Sequence, residues 1–253
     1  MGFTHAIARL PAATCVQGLT SVDLGAPDPR RTRAQFDAYI DALLQMGLTV
    51  TLLPAQPAFP DAHFVEDTAV VTPELAFITR PGAPSRAGEV ATIEPALAHF
   101  RPIARMNGDG RIDGGDVLLV DRRFFVGLSG RTDTSGAKAL ARTVEPYGYA
   151  VTEVPVSAGL HLKSAVNYVG RSTLLLGKDA AREPAFAGFD HIVLPHQELY
   201  AGNTLWINDT LITPDGFPET HRRLARLNMP IVRLDMSEFQ KMDGGLTCLS
   251  LRF

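Results

Sequence analysis

Two cysteines and one tryptophan are all that 253 residues carry of those types. With only Cys15 and Cys248, no disulfide framework holds the chain together, and such sparing use favours a reducing cytoplasm. A single Cys15–Cys248 bridge tying the two ends is the alternative that the count allows. No apolar run has the length of a membrane span. The opening Met1-Gly2-Phe3-Thr4-His5-Ala6 lacks the charged and apolar regions of a secretory signal, and Ala6 stands where N-myristoylation wants Ser or Thr. No basic run exceeds a pair such as Arg30-Arg31 and the formal net charge is −3, so no nucleic-acid partner is expected. Nucleotide signatures are missing too: there is no Walker loop and no G-x-G-x-x-G. Ser129 fails the G-x-S-x-G elbow because Arg131 takes the last position.

What is present is a chain with 45% hydrophobic and 20% charged residues, enough for one large core or two small ones. Alternation predicts a first strand over Thr4–Arg9. Helical spacing of Phe36, Tyr39, Ile40, Leu43 and Leu44 predicts a helix over Arg31–Met46, stopped by Gly47, before a strand over Leu48–Leu53. A pattern then repeats. Hairpins are expected over Thr68–Val71 with Leu75–Arg80, Val117–Val120 with Phe124–Leu128, Ala165–Val169 with Thr173–Leu176, and Thr204–Ile207 with Thr210–Thr213. Each is followed by a helical piece (Arg86–Phe100, Thr132–Tyr147, Asp179–Phe186, Pro218–Leu227) and a strand (Ile103–Arg105, Val151–Val156, His191–Leu194, Ile231–Leu234). Leu246–Leu251 is left as a lone closing strand. The period near fifty residues points to a radially repeated α/β architecture. Pairing the lone last strand with the lone first strand would close a ring and remove its exposed edges. No stretch reads as a linker, so residues 1–253 are expected to form a single domain, with a site where the loops converge.

Three stretches carry the chemistry. In Asp243-Gly244-Gly245-Leu246-Thr247-Cys248, a thiol follows a Gly-Gly turn that is expected to supply positive φ and close approach to a ligand, with a strand behind it. Gly159-Leu160-His161-Leu162-Lys163 offers an imidazole able to lower a thiol's pKa and shuttle a proton. Asp113-Gly114-Gly115-Asp116-Val117 offers carboxylates. Thiol, base and orienting carboxylate are the parts of a nucleophilic site. Asn107-Gly108-Asp109-Gly110 before it invites a calcium-loop reading, but Arg111 stands where an oxygen ligand belongs and the stretch occurs once. His191 with His196 makes no convincing metal spacing, and no metal is expected. Glu66 and Asp67 form an acidic pair that could grip a planar guanidinium. Arg86 and Arg131 each follow a tight turn and suit a substrate carboxylate.

These stretches, with Phe64-Val65-Glu66-Asp67 and Ile78-Thr79-Arg80-Pro81-Gly82-Ala83-Pro84-Ser85-Arg86, come in one order across the chain. In that order the sequence resembles the dimethylarginine dimethylaminohydrolases of the guanidino-group-modifying superfamily, which also holds arginine deiminases and amidinotransferases. The resemblance implies a pentein α/β propeller, a ring of five ββαβ units. It implies Cys248 as nucleophile, His161 as general acid and base, and Asp113 as the carboxylate orienting that histidine, where some relatives have Glu. Glu66 and Asp67 fall where the family grips the guanidinium. Leu19, through its backbone, and Asp61 match positions near the substrate's amino-acid end, Arg86 and Arg131 match residues holding that end, and Met242 matches a backbone contact beside the nucleophile.

The implied reaction converts methylated arginines to citrulline and a methylamine through a Cys thiouronium, with no metal or organic cofactor. An arginine deiminase is the alternative within the class, although such enzymes are typically longer. A non-catalytic pentein-fold binding protein, like a translation-factor relative, is the alternative outside it, and the intact Cys248, His161 and Asp113 set argues against it. Oligomeric state stays open, a homodimer included.

Overall fold

The computed structural model of the chain describes residues 2–156 and 159–253. Fifteen short strands fall into five three-stranded sheets. Four sheets are contiguous in sequence. They comprise β3 (Ala69–Val71), β4 (Ala76–Ile78) and β5 (Ile103–Arg105); β6 (Val117–Val120), β7 (Arg123–Leu128) and β8 (Ala150–Pro155); β9 (Val166–Tyr168), β10 (Thr173–Leu176) and β11 (Asp190–Val193); and β12 (Leu205–Ile207), β13 (Thr210–Pro214) and β14 (Ile231–Leu234). In each, the first two strands form an antiparallel hairpin and the third returns parallel to the second after a crossover. Tight hairpins are possible because residues that tolerate φ above zero sit at the turns: Asn208 and Asp209 lie at φ 48° and 60°.

The fifth sheet joins β1 (His5–Arg9) and β2 (Thr49–Leu53), parallel, to β15 (Ser250–Arg252), antiparallel, with Ala6 opposite Arg252 and Ala8 opposite Ser250. The first and last strands therefore meet as expected, and the molecule is a ring of five ββαβ-like units, the pentein α/β propeller.

Helices cover the outer faces of the sheets. In α1 (Pro29–Gln45), Phe36, Tyr39 and Leu43 are fully buried and pack in one cluster with Ala6 and Ala8, while the Tyr39 hydroxyl lies 2.6 Å from Ser250 Oγ. The helix begins two residues earlier than expected because Asp28 caps it, accepting from the backbone of Arg30 and Arg31, with Pro29 in the first turn. Ile93 and Leu97 of α2 (Val90–Ala98) cover the β3–β4–β5 sheet, and Ala137, Leu140 and Val144 of α3 (Thr134–Val144) cover the β6–β7–β8 sheet. The expected helix over Arg86–Phe100 starts as a 3-10 turn, over Pro84–Glu89, and is α-helical over Val90–Ala98. The helical piece over 179–186 is two short 3-10 turns, with Phe186 closing the core against Phe125.

One local feature recurs. The first strand of every unit is preceded by a 3-10 turn: Val65–Thr68, Gly114–Asp116, Leu162–Ser164, His196–Gly202 and Thr247–Leu249. From Thr247–Leu249 through Val65–Thr68, Gly114–Asp116 and Leu162–Ser164 to His196–Gly202, each turn touches the next. This corrects the expected strand over Leu246–Leu251: Cys248 sits on a turn, and the strand starts at Ser250. Both cysteines are free.

Candidate active site

Asp67 and Cys248 on two of the leading turns and His161 beside a third meet at one open pocket of about 340 Å³, solvent space included. Of the ten residues singled out from sequence, Cys248, His161, Leu19, Asp61, Asp67, Arg86, Arg131 and Met242 line it, while Asp113 and Glu66 stand behind that lining. Phe64, Leu160, Asp243 and Gly244 complete it.

His161 is buried, and its Nε2 lies 2.9 Å from Asp113 Oδ2. The Asp113 side chain is itself placed by the Gly82 N–H, which donates to Oδ1 at 2.7 Å, and its backbone N–H donates to Thr132 Oγ1. On the other edge of the ring, His161 Nδ1 lies 4.0 Å from Asp67 Oδ1. Asp116 accepts the Leu162 N–H at 2.8 Å and so fixes the backbone just past the imidazole. Burial alone would lower the His161 pKa. The carboxylates of Asp67, Asp113 and Asp116 outweigh it and raise the imidazole to about 9.

Asp67 accepts from the Gly115 N–H at 2.8 Å and from Arg86 Nη1. Burial opposes its charge, but His161 and Arg86 beside it hold it down at about 2. Glu66, the adjacent residue, turns the other way: Oε1 accepts from Lys163 Nζ at 2.7 Å and Arg252 Nη2 at 3.1 Å, and the buried Oε2 has no protein partner among the described residues. An acceptor left open in a buried position costs stability unless a donor arrives.

Cys248 lies on the opposite side. The residue keeps some exposure, but its thiol is enclosed, and burial first, then the charges of Glu66 and Asp67, push it up to about 12. The Gly-Gly turn before it does not work by positive φ, which falls on Asp243 at 55°. Gly244 and Gly245 are needed for space. A Cβ on Gly244 would come within 2.2 Å of the Phe64 ring, and one on Gly245 within 2.4 Å of Asn203 Cγ.

The two arginines part company. Arg86, expected to hold a substrate carboxylate, is 5% exposed. Its Nε and Nη2 donate to Glu89, Nη2 also to the Phe64 carbonyl at 2.8 Å, and Nη1 to Asp67. Glu89 lies one turn further along the same 3-10 segment, which is why the pairing was not foreseen. Arg131 is half-buried and its guanidinium has no carboxylate partner among the described residues. At the rim, Asp61 accepts the Leu19 N–H through both oxygens at 3.1 and 3.2 Å, and burial raises its pKa. Leu19 thus keeps only its carbonyl for a ligand.

Asp67, Asp113 and His161 bring ligand-type atoms within 4.8 Å of one another. A metal ion there would have to displace the hydrogen bond between His161 and Asp113. The sequence reading missed Lys163, Arg252 and Asn203. Asn203 stands before the first strand of its hairpin, the place that Glu66-Asp67, Asp113–Asp116 and His161 hold in theirs, and the repeat was the signal that could have found it.

A pentein ring with a cysteine, a histidine and acidic side chains converging on one pocket defines a guanidine-modifying class of protein. A family model for eukaryotic N,N-dimethylarginine dimethylhydrolase matches residues 28–185. The N(G),N(G)-dimethylarginine dimethylaminohydrolase of Pseudomonas aeruginosa is 40% identical over 253 residues, covering 99% of this chain and 100% of the relative. A crystal structure of that protein, a Cys-to-Ser variant with citrulline, superposes with a TM-score of 0.98, 40% identity and full coverage of both chains. A dimethylarginine dimethylaminohydrolase His-to-Gly variant, solved as an adduct with S-methyl-L-thiocitrulline, gives a TM-score of 0.97 at 40% identity, covering 99% of this chain and 100% of that one. The chain belongs to the dimethylarginine dimethylaminohydrolase family.

Proposed function

We propose that this protein hydrolyses N-omega-methylated arginines to citrulline and the methylamine through a covalent adduct on Cys248. The observation that carries the reading is the shared pocket: a thiol and an imidazolium that both line it, Asp67 lining it with them, and Glu66 behind the lining with an open carboxylate oxygen. His161 starts protonated, so it cannot take the thiol's proton. That proton goes to bulk water when a guanidinium cation enters and offsets the carboxylate field that holds the thiol neutral. The thiolate attacks the guanidinium carbon, and a tetrahedral adduct forms. As the C–N bond to the methylamine breaks, His161 gives its proton to the leaving nitrogen and a thiouronium remains. Neutral His161 then takes a proton from water and the hydroxide adds to the same carbon; as the C–S bond breaks, the adduct's hydroxyl proton passes to the departing sulfur, which releases citrulline and restores the neutral thiol. Asp113 keeps the imidazole oriented in both halves.

Arg131 and the Leu19 carbonyl suit the substrate's amino-acid end, with Asp61 setting the Leu19 backbone and Met242 contributing its backbone beside the nucleophile. Arg86 reaches the same pocket while anchoring Asp67. Residues 1–253 are read as one domain working in the cytoplasm on a small molecule, without cofactor or nucleic acid; no helix among the described residues is long and apolar enough to cross a membrane. The five sheets' outer edges leave a homodimer open. The test is citrulline formation from dimethylarginine and from arginine, side by side. Turnover of the methylated substrate is expected to dominate; preferential release of ammonia from arginine would transfer the reading to a deiminase, and no citrulline from either would overturn it.

A further inference from the structure

No residue of the fourth unit's leading turn, His196–Gly202, lines the pocket; the turn is followed by Asn203, 5% exposed. The Asn203 side chain joins two turns. Its Oδ1 accepts the Thr247 N–H at 2.8 Å, and its Nδ2 lies 3.3 Å from the Lys163 carbonyl. An N–H can only donate and a carbonyl can only accept, so these backbone partners fix which way the amide points. Nδ2 therefore also donates to Thr247 Oγ1, at 3.1 Å. That hydroxyl has accepted once, and its own proton must go elsewhere. Its remaining polar neighbour among the described residues is Cys248 Sγ, at 3.8 Å. A neutral thiol can share that contact in either direction. A thiolate can only accept, and charge-assisted hydrogen bonds shorten. Thr247 is 1% exposed and β-branched, so its hydroxyl has little freedom to turn away. The close approach of Asn203 is also what requires Gly245 to lack a side chain.

We propose that Thr247 is a further catalytic residue, held in place by Asn203, whose hydroxyl donates the hydrogen bond that stabilises the Cys248 thiolate as it forms. Asn203 is the positioning residue, and by donating also to the Lys163 carbonyl it ties Thr247 to the turn that follows His161. The inference rests on the reading of Cys248 as nucleophile.

Its test is therefore run partly without substrate. Cys248 in the purified chain is alkylated with iodoacetamide from neutral to mildly alkaline pH and followed by peptide mass spectrometry, alongside kcat and KM. Thr247→Val, nearly isosteric, should lower kcat about tenfold, the scale of one hydrogen bond to a charged group, with KM little changed. Alkylation should slow only about threefold, because a less acidic thiol is intrinsically more nucleophilic. Thr247→Ser should restore both. Adding Asn203→Ala to Thr247→Val should slow alkylation no further. A Thr247→Val enzyme that is alkylated at the wild-type rate overturns the proposal, as does a folded Thr247→Ser enzyme as slow as the valine variant. Additive losses in the double variant would remove Asn203 from it. Full turnover by Cys248→Ser would sink the nucleophile reading itself, whereas the alkylation rates report on the Thr247 bond whatever the reaction.

Discussion

The two walls of the pocket hold their protons for different reasons. On the His161 wall, three aspartates favour a cation and lift the imidazole to about 9. On the Cys248 wall, burial and the same acidic field disfavour an anion and lift the thiol to about 12. Asp67 acts on both. One feature, negative charge with little solvent, thus keeps the imidazole charged and the thiol neutral. On the proposed function, such a pocket is idle until a cation arrives, which couples reactivity to binding of a guanidinium rather than to ambient pH.

Removing the thiol breaks the comparison most completely. Cys248→Ser should cut turnover on the order of 10⁴-fold or more, with the fold unchanged by circular dichroism, because an alcohol in that field has no accessible anion. His161→Ala should come next, with a loss of about 10²–10⁴-fold. Adduct hydrolysis also needs the imidazole, so a Cys248 thiouronium should accumulate and be seen by mass spectrometry of quenched enzyme; a variant within a few-fold of wild type would move the proton transfer to another group.

Asp67→Asn sharpens the contrast, because the shared charge goes and the walls should respond in opposite senses. Turnover should fall about 10–100-fold, the scale of a lost charge-assisted hydrogen bond, while iodoacetamide labelling of Cys248 in the free enzyme becomes faster. Equal slowing of both would mean that Asp67 does not set the thiol's proton affinity. Arg131→Ala should leave both walls alone and affect only the far end of the substrate. It should reduce the preference for an amino-acid guanidine over agmatine by about tenfold, through KM more than kcat. Arg86→Ala should damage kcat as well, since Asp67 and Glu89 would lose their buried partner.

The smallest effect is on stability. The folded imidazole titrates near 9 and the unfolded one near 6.5. Its stabilising contribution is therefore complete below pH about 6.5 and is lost as pH rises through about 9. Denaturant midpoints over that window should fall for wild type and fall less for His161→Phe.

Much of this was legible in the sequence because the repeat is periodic and each hairpin carries its own turn residues. The ring closure followed from two unpaired strands. The Cys248, His161 and Asp113 stretches stood out as polar or reactive groups set among glycines. Which charged groups pair with one another was not legible. Arg86 and Arg131 look alike in sequence, and only the fold shows that Glu89 and Asp67 occupy one of them. Positive φ at Gly244-Gly245 was inferred from residue type, whereas the real constraint there is the thickness of Phe64 and Asn203. Asn203 itself, a neutral residue in an apolar run, had no local signal at all.

The seam between β1 and β15 has a consequence for the thiol beside it. The turn bearing Cys248 runs straight into Ser250–Arg252, which pairs with Ala6–Ala8 from the far end of the sequence, and it packs on the Val65–Thr68 turn. With the seam open the cysteine would ionise at about 8.5, as a solvated thiol does; with it closed, burial and the neighbouring acids push the thiol up to about 12. Electrophiles should therefore label molecules with an open seam faster than closed ones, so the pairing that joins the ring also shields its cysteine.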